Sequence, residues 1–383
     1  MNLNRPLILP KIKNSYTVNA MDLNKLEQFL KDNDQPKFRL EQIKKAVYQD
    51  GISTWSEITT IPKELRELLD KEMKILSFEI EKVLVSKNKQ STKAALNLPD
   101  NNYIETVLLS SEEGAWTVCV SSQAGCPLNC AFCATGREGF NRNLTAEEIT
   151  DQILFWKQYL NKNPSPALPF EKGEKKDSPF VKGGLRGISN IVYMGMGEPF
   201  LNWEQVKKSL EDMINPKLFG FGSRSISVST SGIPEGIEIF TETFPQMNLA
   251  VSLHFAENEM RSRYMPISKQ YDLEKIKETL QKYFQKSKRK IFIEYILFQG
   301  LNDSPQDARK LSEYLKSIGH TYLLHVNLIF YNEEDKTAND FKASSRNAAI
   351  KFKDCLQQNH INVTIRKSLG TDIQGACGQL AAH

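Results

Sequence analysis

Three cysteines lie close together in the segment Cys126-Pro-Leu-Asn-Cys130-Ala-Phe-Cys133. Their thiols can converge from one loop, and an odd number of them cannot all pair with each other. Thiolates at this spacing are typical ligands of zinc or of an iron–sulfur cluster. Structural zinc needs four ligands, and no fourth Cys or His follows nearby, whereas a cluster on three thiolates leaves one iron open to a small molecule. Three buried loop cysteines without a metal are the less favoured alternative.

The sequence around these cysteines is similar to that of a known enzyme family. The spacing Cys-x3-Cys-x2-Cys, followed by a glycine-containing segment, resembles the radical S-adenosylmethionine (SAM) enzymes. The segments Gly125–Gly136 and Gly139–Thr145 resemble the RlmN family of adenine methyltransferases, whose near relative is Cfr. The resemblance implies that Cys126, Cys130 and Cys133 hold a [4Fe-4S] cluster and that the enzyme uses SAM.

Three further residues acquire roles through this resemblance. It implies that Cys377 carries a methyl group, that Cys119 is its redox partner in a disulfide, and that Glu105 accepts a proton. From pattern alone, the glycines around Cys377 indicate a mobile thiol, whereas Cys119 is equally well interpreted as a strand residue facing the core. Alternation in its strand predicts that Glu105 points outward.

The SAM-binding residues are also inferred from the resemblance. The segment Gly195-Met-Gly-Glu198-Pro199 follows a predicted strand, and the resemblance assigns Gly197 and Glu198 to the SAM amino group. Alone, such a segment is usually a tight turn. The remaining positions that match SAM contacts are Ser229, Ser252, Leu253, His254 and Asn327. Each alone would be interpreted as a hydrogen-bonding residue at a strand end, and His254 also as a core histidine, but their shared position after successive strands favours one site.

The implied reaction is methylation of carbon 2 of adenine in 23S rRNA and tRNA. That carbon is electron-poor and does not attack the SAM methyl group, whereas a cysteine thiolate does. One SAM would methylate Cys377, and a second would be cleaved by an electron from the cluster to give a deoxyadenosyl radical. The radical would activate the S-methyl group for addition to the base. Glu105 would take the ring proton, and Cys119 would then displace Cys377 by forming a disulfide.

Composition limits the cellular setting. The 383 residues contain 50 Lys and Arg against 46 Asp and Glu, a mildly basic balance that permits a nucleic-acid partner without requiring one. Neither a secretory signal nor an apolar run of membrane-spanning length is present. Six unevenly spaced cysteines do not form a secreted disulfide framework. We therefore expect a cytoplasmic protein that does not contact a membrane. The resemblance further implies a monomer that receives electrons from a donor such as flavodoxin.

The elements that must position these residues form an α/β protein. The pattern predicts a flexible leader over 1–20, a helical accessory domain over 21–75, a strand extension over 76–121 and a core over 115–383. Strands alternate with helices in the core, which predicts a parallel sheet with crossover helices. The resemblance implies an incomplete (β/α)6 radical-SAM barrel and an RNA-binding role for the accessory domain. Residues 161–187, rich in Pro, Gly and Lys, indicate a disordered, dispensable insertion.

Other functions remain open at this stage. A Cfr-type enzyme would methylate carbon 8 of the 23S rRNA adenine; Pro199 and the Cys126–Gly139 segment favour carbon 2, and the region 39–66 is ambiguous. A helical RNA-binding module with a structural metal, or a radical SAM enzyme with a non-RNA substrate, are further possibilities. The basic run 286–290, with Arg366 and Lys367, is a weak candidate for phosphate contacts. Cys355 is interpreted as a small buried core residue.

Overall fold

The computed structural model describes residues 22–110, 115–163, 187–333 and 341–381. The helices are α1 (Leu23–Asp32), α2 (Phe38–Lys44), α3 (Lys63–Glu72), α4 (Ala134–Glu138), α5 (Ala146–Lys162), α6 (Trp203–Ile214), α7 (Pro234–Thr243), α8 (Asn258–Tyr264), α9 (Leu273–Lys286), α10 (Pro305–Ile318) and α11 (Arg346–Gln358). The strands are β1 (Glu79–Val85), β2 (Ser91–Asn97), β3 (Tyr103–Ser110), β4 (Trp116–Cys119), β5 (Gln123–Gly125), β6 (Phe140–Asn143), β7 (Ile188–Tyr193), β8 (Ile226–Thr230), β9 (Asn248–Ser252), β10 (Ile291–Leu297), β11 (Leu324–Phe330) and β12 (Asn362–Ile365). None of the helices in these ranges is both long and apolar enough to cross a membrane.

One ten-stranded sheet organises the molecule, in the order β1-β2-β3-β4-β7-β8-β9-β10-β11-β12. Strands β1 to β4 pair antiparallel, and from β4 onward every neighbouring pair is parallel. The six parallel strands β4 and β7–β11 match the expected α/β core, and β12 adds a seventh that the sequence analysis missed. The antiparallel extension is also confirmed.

Local sequence explains where the core helices begin. The Thr145 hydroxyl accepts a bond from the Glu148 backbone N–H at 3.2 Å, and the Glu148 carboxylate accepts one from the Thr145 N–H at 2.9 Å. This reciprocal pair satisfies N–H groups that a helix terminus leaves free, and it marks the start of α5. Helix α5 continues through residues 161 and 162, which the sequence analysis had given to the insertion.

The predicted leader and most of the predicted insertion lie outside the described residues. The helical accessory region, in contrast, is described from residue 22 onward, and it is joined to the core by polar contacts. Lys157 of α5 donates to the Tyr48 carbonyl at 2.9 Å, and Gln158 donates to the Ile52 carbonyl at 2.7 Å. Both contacts are buried, so α5 connects the accessory helices to the sheet.

Candidate active site

A short ribbon holds the ends of the three-cysteine loop together. Strands β5 and β6 pair antiparallel, and the Cys126 N–H donates to the Gly139 carbonyl at 2.7 Å. Gly125 makes this closure possible, because its φ is +74° and a Cβ there would lie 2.0 Å from the Gly139 oxygen. Only glycine adopts such a conformation at low cost. The ribbon was not predicted, and it brings the loop to the carboxyl ends of the parallel strands.

An open cavity at these strand ends collects most of the predicted residues. Nine of the thirteen line it, namely Cys126, Cys130, Cys133, Gly197, Glu198, Ser229, Ser252, His254 and Cys377. The other four, Glu105, Cys119, Leu253 and Asn327, are not part of its lining. The tertiary structure thus gathers predicted residues from five separate segments of the chain, as expected for sites at the carboxyl edge of parallel strands.

Two thiols of the loop, Cys126 and Cys130, are harder to ionise than free cysteines because they are buried and lie next to another thiol. Burial raises the pKa of Cys126 to about 12, and the neighbouring Cys133 adds to the effect. Burial, followed by the charges of Cys133 and Cys126, raises the pKa of Cys130 well above its usual range. A cationic iron–sulfur group would reverse this balance by stabilising the thiolates. Within the described ranges, no three Cys, His, Asp or Glu side chains are arranged to hold a single metal ion.

Glu198 is a buried carboxylate fixed by backbone donors. Its oxygens accept from the Phe200 N–H at 3.2 Å and the Ser231 N–H at 2.8 Å. Burial raises its pKa, and these hydrogen bonds partly oppose the shift. Gly197 before it has a φ of +98°, and a Cβ there would meet the Gln123 side chain at 2.5 Å. The carboxylate therefore faces the cavity with acceptor capacity left for an ammonium group.

Glu294 is a second buried carboxylate in the cavity, and the sequence analysis missed it. Asn327 donates to its Oε1 at 2.9 Å, and Arg366 lies 3.6 Å from its Oε2. That Oε2 has no hydrogen-bond partner among the described residues, so it can accept from a bound molecule. The sequence feature that could have revealed it is a glutamate within the otherwise apolar strand Ile291–Leu297. Arg366, a weak candidate for a phosphate contact from the sequence, lines the cavity beside Glu294.

His254 lies in the left-handed backbone region, with φ of +57°. Its Nδ1 accepts the Ile296 backbone N–H at 3.2 Å, so the ring is neutral with its proton on Nε2. Burial and nearby Arg261 lower the pKa of His254 to about 3. The ring also packs edge-on against Phe132 of the cysteine loop, with centroids 5.1 Å apart. His254 is thus both a satisfied interior histidine and a cavity-lining residue.

The structure also shows the surroundings of three other residues that are predicted to contact SAM. The Ser229 and Ser252 hydroxyls lie 3.3 Å apart on adjacent strands. Leu253 is fully buried; its N–H donates to the Glu294 carbonyl, and its carbonyl accepts from Arg261. Both of its backbone groups are therefore engaged within the protein.

Cys377 and Cys119 belong to one electrostatic environment although they are distant in sequence. Cys377 is exposed and Cys119 is buried, and both are free thiols. Burial raises the pKa of Cys119 to about 12, and the charge of Cys377 adds to this. Although Cys377 is exposed to the cavity, desolvation by the protein atoms around its sulfur raises the pKa of Cys377 as well, while Arg366 opposes the shift. Arg366 is thus the cation close enough to act on both sulfurs.

Two pattern-based interpretations are wrong. Glu105 does not point outward: its side chain is 1% exposed, because the chain terminus covers that face of β3. The Ala381 N–H donates to its Oε2 at 3.0 Å. Cys355 is only partly buried, and its thiol lies 3.7 Å from the Pro305 carbonyl.

Comparison with known proteins agrees with this arrangement. Residues 18–75 match the family model described as "Ribosomal RNA large subunit methyltransferase N-terminal domain". The chain is 38% identical to "Ribosomal RNA large subunit methyltransferase Cfr" of Bacillus velezensis, over 93% of this chain and 95% of that protein. It is 37% identical to "Probable dual-specificity RNA methyltransferase RlmN" of Syntrophomonas wolfei, over 94% and 96%.

The chain belongs to the RlmN/Cfr family of methyltransferases. A crystal structure of a radical SAM methyltransferase from Sphaerobacter thermophilus superposes with a TM-score of 0.83 and 32% identity, covering 96% of this chain and 99% of that one. The radical-SAM fold expected from the cysteine motif is therefore confirmed. The family-model match also coincides with the helical region predicted from residue 21 to 75.

Proposed function

We propose that this protein is a radical SAM methyltransferase that methylates carbon 2 of adenine in 23S rRNA and in tRNA. One observation carries the proposal. Three segments that are remote in sequence meet at one cavity: the three-cysteine loop, the Gly197–Glu198 turn and the segment bearing Cys377. A methyl-carrying thiol beside a cluster and a SAM site is the arrangement that this chemistry needs.

The cofactors fit the residues present. Cys126, Cys130 and Cys133 would hold a [4Fe-4S] cluster, and Glu198 would accept the SAM ammonium group. Support comes from the thiols whose ionisation a cationic group would favour, and from Oε2 of Glu294, which has no hydrogen-bond partner among the described residues although Arg366 lies 3.6 Å away. When bound, the cluster supplies an electron, and SAM supplies the methyl group and the radical precursor.

Residues of the chain would carry out the methyl-transfer, deprotonation and release steps. The Cys377 thiolate accepts the methyl group, and Arg366 favours that thiolate by its charge. Once the methylene carbon is bonded to the base, the adduct gives up its unpaired electron to a one-electron acceptor; the Glu105 carboxylate takes the ring proton, and the C–H electron pair stays with the ring. The Cys119 thiolate then attacks the Cys377 sulfur and forms a disulfide; the methylene carbon leaves with the C–S electron pair and takes up a proton from water, which gives the methylated base. A reductant must restore both thiols before the next turnover.

The partners follow from the same proposal. The substrates would be 23S rRNA and tRNA, with the accessory helices as the RNA-contacting part. A flavodoxin-like protein would donate electrons, and the protein would act as a monomer in the cytoplasm. An adenine stacked in a helix would have to be flipped out to reach the cavity.

The carbon-8 reaction is the competing activity within the family. Relatives named Cfr and RlmN match at nearly equal identity, so the choice depends on other features. The segment Cys126–Gly139, Pro199 after Glu198 and the match to the N-terminal family model favour carbon 2.

The identity of the methylated nucleoside tests this proposal. Protein purified and reconstituted without oxygen is incubated with SAM, a reductant, and rRNA or tRNA transcripts. The RNA is digested and compared by mass spectrometry with 2-methyladenosine and 8-methyladenosine standards. We expect only 2-methyladenosine. The 8-methyl isomer would establish the Cfr-type reaction, and SAM cleavage without RNA methylation would point to a non-RNA substrate. A colourless protein that retains zinc would favour an RNA-binding module.

A further inference from the structure

A lysine lies in the interior of the antiparallel extension, next to the proposed proton acceptor. Lys93 of β2 is buried, and its Nζ lies 2.7 Å from Oε1 of Glu105 on the adjacent strand β3. The same Nζ donates to the Gln374 carbonyl at 3.1 Å. A buried ammonium group is costly unless it is paired and hydrogen-bonded, and here one cation serves two acceptors from remote parts of the chain.

The other oxygen of Glu105 accepts a hydrogen bond from the far end of the segment that begins at Gln374. The Ala381 backbone N–H donates to Oε2 at 3.0 Å. The segment from Gln374 to Ala381 carries Cys377, so both of its ends are bonded to the Lys93–Glu105 pair. The proposed proton acceptor and the proposed methyl carrier therefore share one set of polar contacts.

The pKa of Glu105 depends on this lysine. Burial raises the pKa of Glu105, and the charge of Glu138 acts in the same direction. The charge and hydrogen bond of Lys93 lower it, as does the bond from Ala381. Lys93 is the cation whose charge and hydrogen bond oppose the effect of burial on Glu105, so losing it would raise the pKa of Glu105 further.

We propose that Lys93 is a positioning residue for the methyl transfer, which holds Glu105 as a carboxylate and fastens the Cys377 segment to it. This inference rests on the proposed function. It has a consequence for the order of steps. When Glu105 takes the ring proton, the ion pair becomes a weaker bond between an ammonium group and a neutral acid. The segment loosens at that moment, and the Cys377 sulfur becomes free to turn toward Cys119.

The first test uses hydrogen exchange in the absence of SAM and RNA. Lys93→Met should raise the exchange rate of peptides spanning residues 368–381 several-fold, and Glu105→Gln, which resembles the protonated acid, should do the same. Lys93→Arg keeps the charge and should restore much of the protection. Lys82→Met replaces an exposed lysine of the neighbouring strand and should leave these peptides unchanged.

The second test is the pH dependence of methyl transfer. Lys93→Met should shift the acidic limb of the rate profile to higher pH by about one to three units, because a nearby opposite charge lowers a carboxyl pKa by that amount. Lys93→Arg should keep the limb near its wild-type position. A merely structural role would reduce the rate at every pH and leave the limb in place.

The double variant Lys93→Met/Glu105→Gln removes both buried charges and is the control for loss of folding. Its core should unfold at a urea concentration close to that of the wild type, while the 368–381 peptides still exchange fast. Unchanged exchange in Lys93→Met, or an unmoved acidic limb, would overturn the inference. Exchange that responds as expected in a protein that never methylates RNA would overturn the proposed function instead and leave the positioning contact standing.

Discussion

The backbone N–H of Ala134 donates to the carbonyl oxygen of Gly378 at 2.8 Å. Ala134 follows the last cysteine of the loop, and Gly378 follows Cys377. A second bond, from the Thr135 hydroxyl to the Leu380 carbonyl at 2.6 Å, runs parallel to it. These contacts bring the proposed cluster ligands close to the proposed methyl carrier, although the chain reaches them from opposite ends of the core.

Cys377 is the residue whose chemistry is easiest to isolate. Cys377→Ser should abolish RNA methylation, because a serine hydroxyl is not ionised near neutral pH and attacks the SAM methyl group poorly. Trypsin cleaves after Lys367, and the resulting peptide 368–383 contains no other cysteine. Mass spectrometry of that peptide should show one added methyl group in the wild type alone. Cys355→Ser, outside the cavity, is the control and should retain full activity.

Gly125 should prove essential for the loop. In Gly125→Ala, a positive φ would cost about 1–3 kcal/mol, and the Cβ would collide with the Gly139 carbonyl. We expect reduced iron content after anaerobic reconstitution and a lower urea midpoint of unfolding. Gly222→Ala is the matched control, since a Cβ there would meet nothing within 4 Å. Full iron loading of Gly125→Ala would contradict the role of the ribbon.

Glu198 should control SAM affinity. Glu198→Gln keeps the shape of the side chain but removes the charge that would pair with the SAM ammonium group. A charge-assisted hydrogen bond contributes about 1.5–3 kcal/mol, so the Kd for SAM should rise about ten- to a hundredfold. Equilibrium binding by calorimetry measures this directly. Glu204→Gln, an exposed change at the start of α6, should not alter the Kd; equal affinity in both variants would exclude the assignment.

The buried carboxyl group of Asp151 should make the stability of the protein depend on pH. This buried carboxyl of α5 accepts from the Ser77 N–H at 2.8 Å, and burial raises its pKa from 3.8 to about 8. The folded protein therefore holds a proton that the unfolded chain releases between those pH values. The stability this group contributes is fully present below roughly pH 4 and is lost as the pH rises toward 8.

Asp151→Asn should remove that dependence. Urea midpoints measured between pH 5 and pH 8 should fall with rising pH in the wild type and fall less in the variant. Asp70→Asn, an exposed substitution, should behave like the wild type. Parallel slopes for Asp151→Asn and wild type would show that Asp151 does not titrate as its burial implies.

Much of this protein could be predicted from local pattern. The three-cysteine spacing identified the loop, the capping box at Thr145 located the start of α5, and strand–helix alternation predicted the parallel sheet. These features depend on residues within a few positions of each other, so a linear sequence contains the information.

The surroundings of Glu105 were decided by tertiary structure alone. Alternation along β3 predicted an outward carboxylate, but β3 is covered on that face by Ala381 and flanked by Lys93 on β2. Contacts between residues so far apart in the chain leave no periodic signal. The sequence by itself determined which chemical groups are present and which element carries each. Only the folded sheet and the returning chain terminus decided which of those groups meet, because burial and charge pairing depend on distance in space.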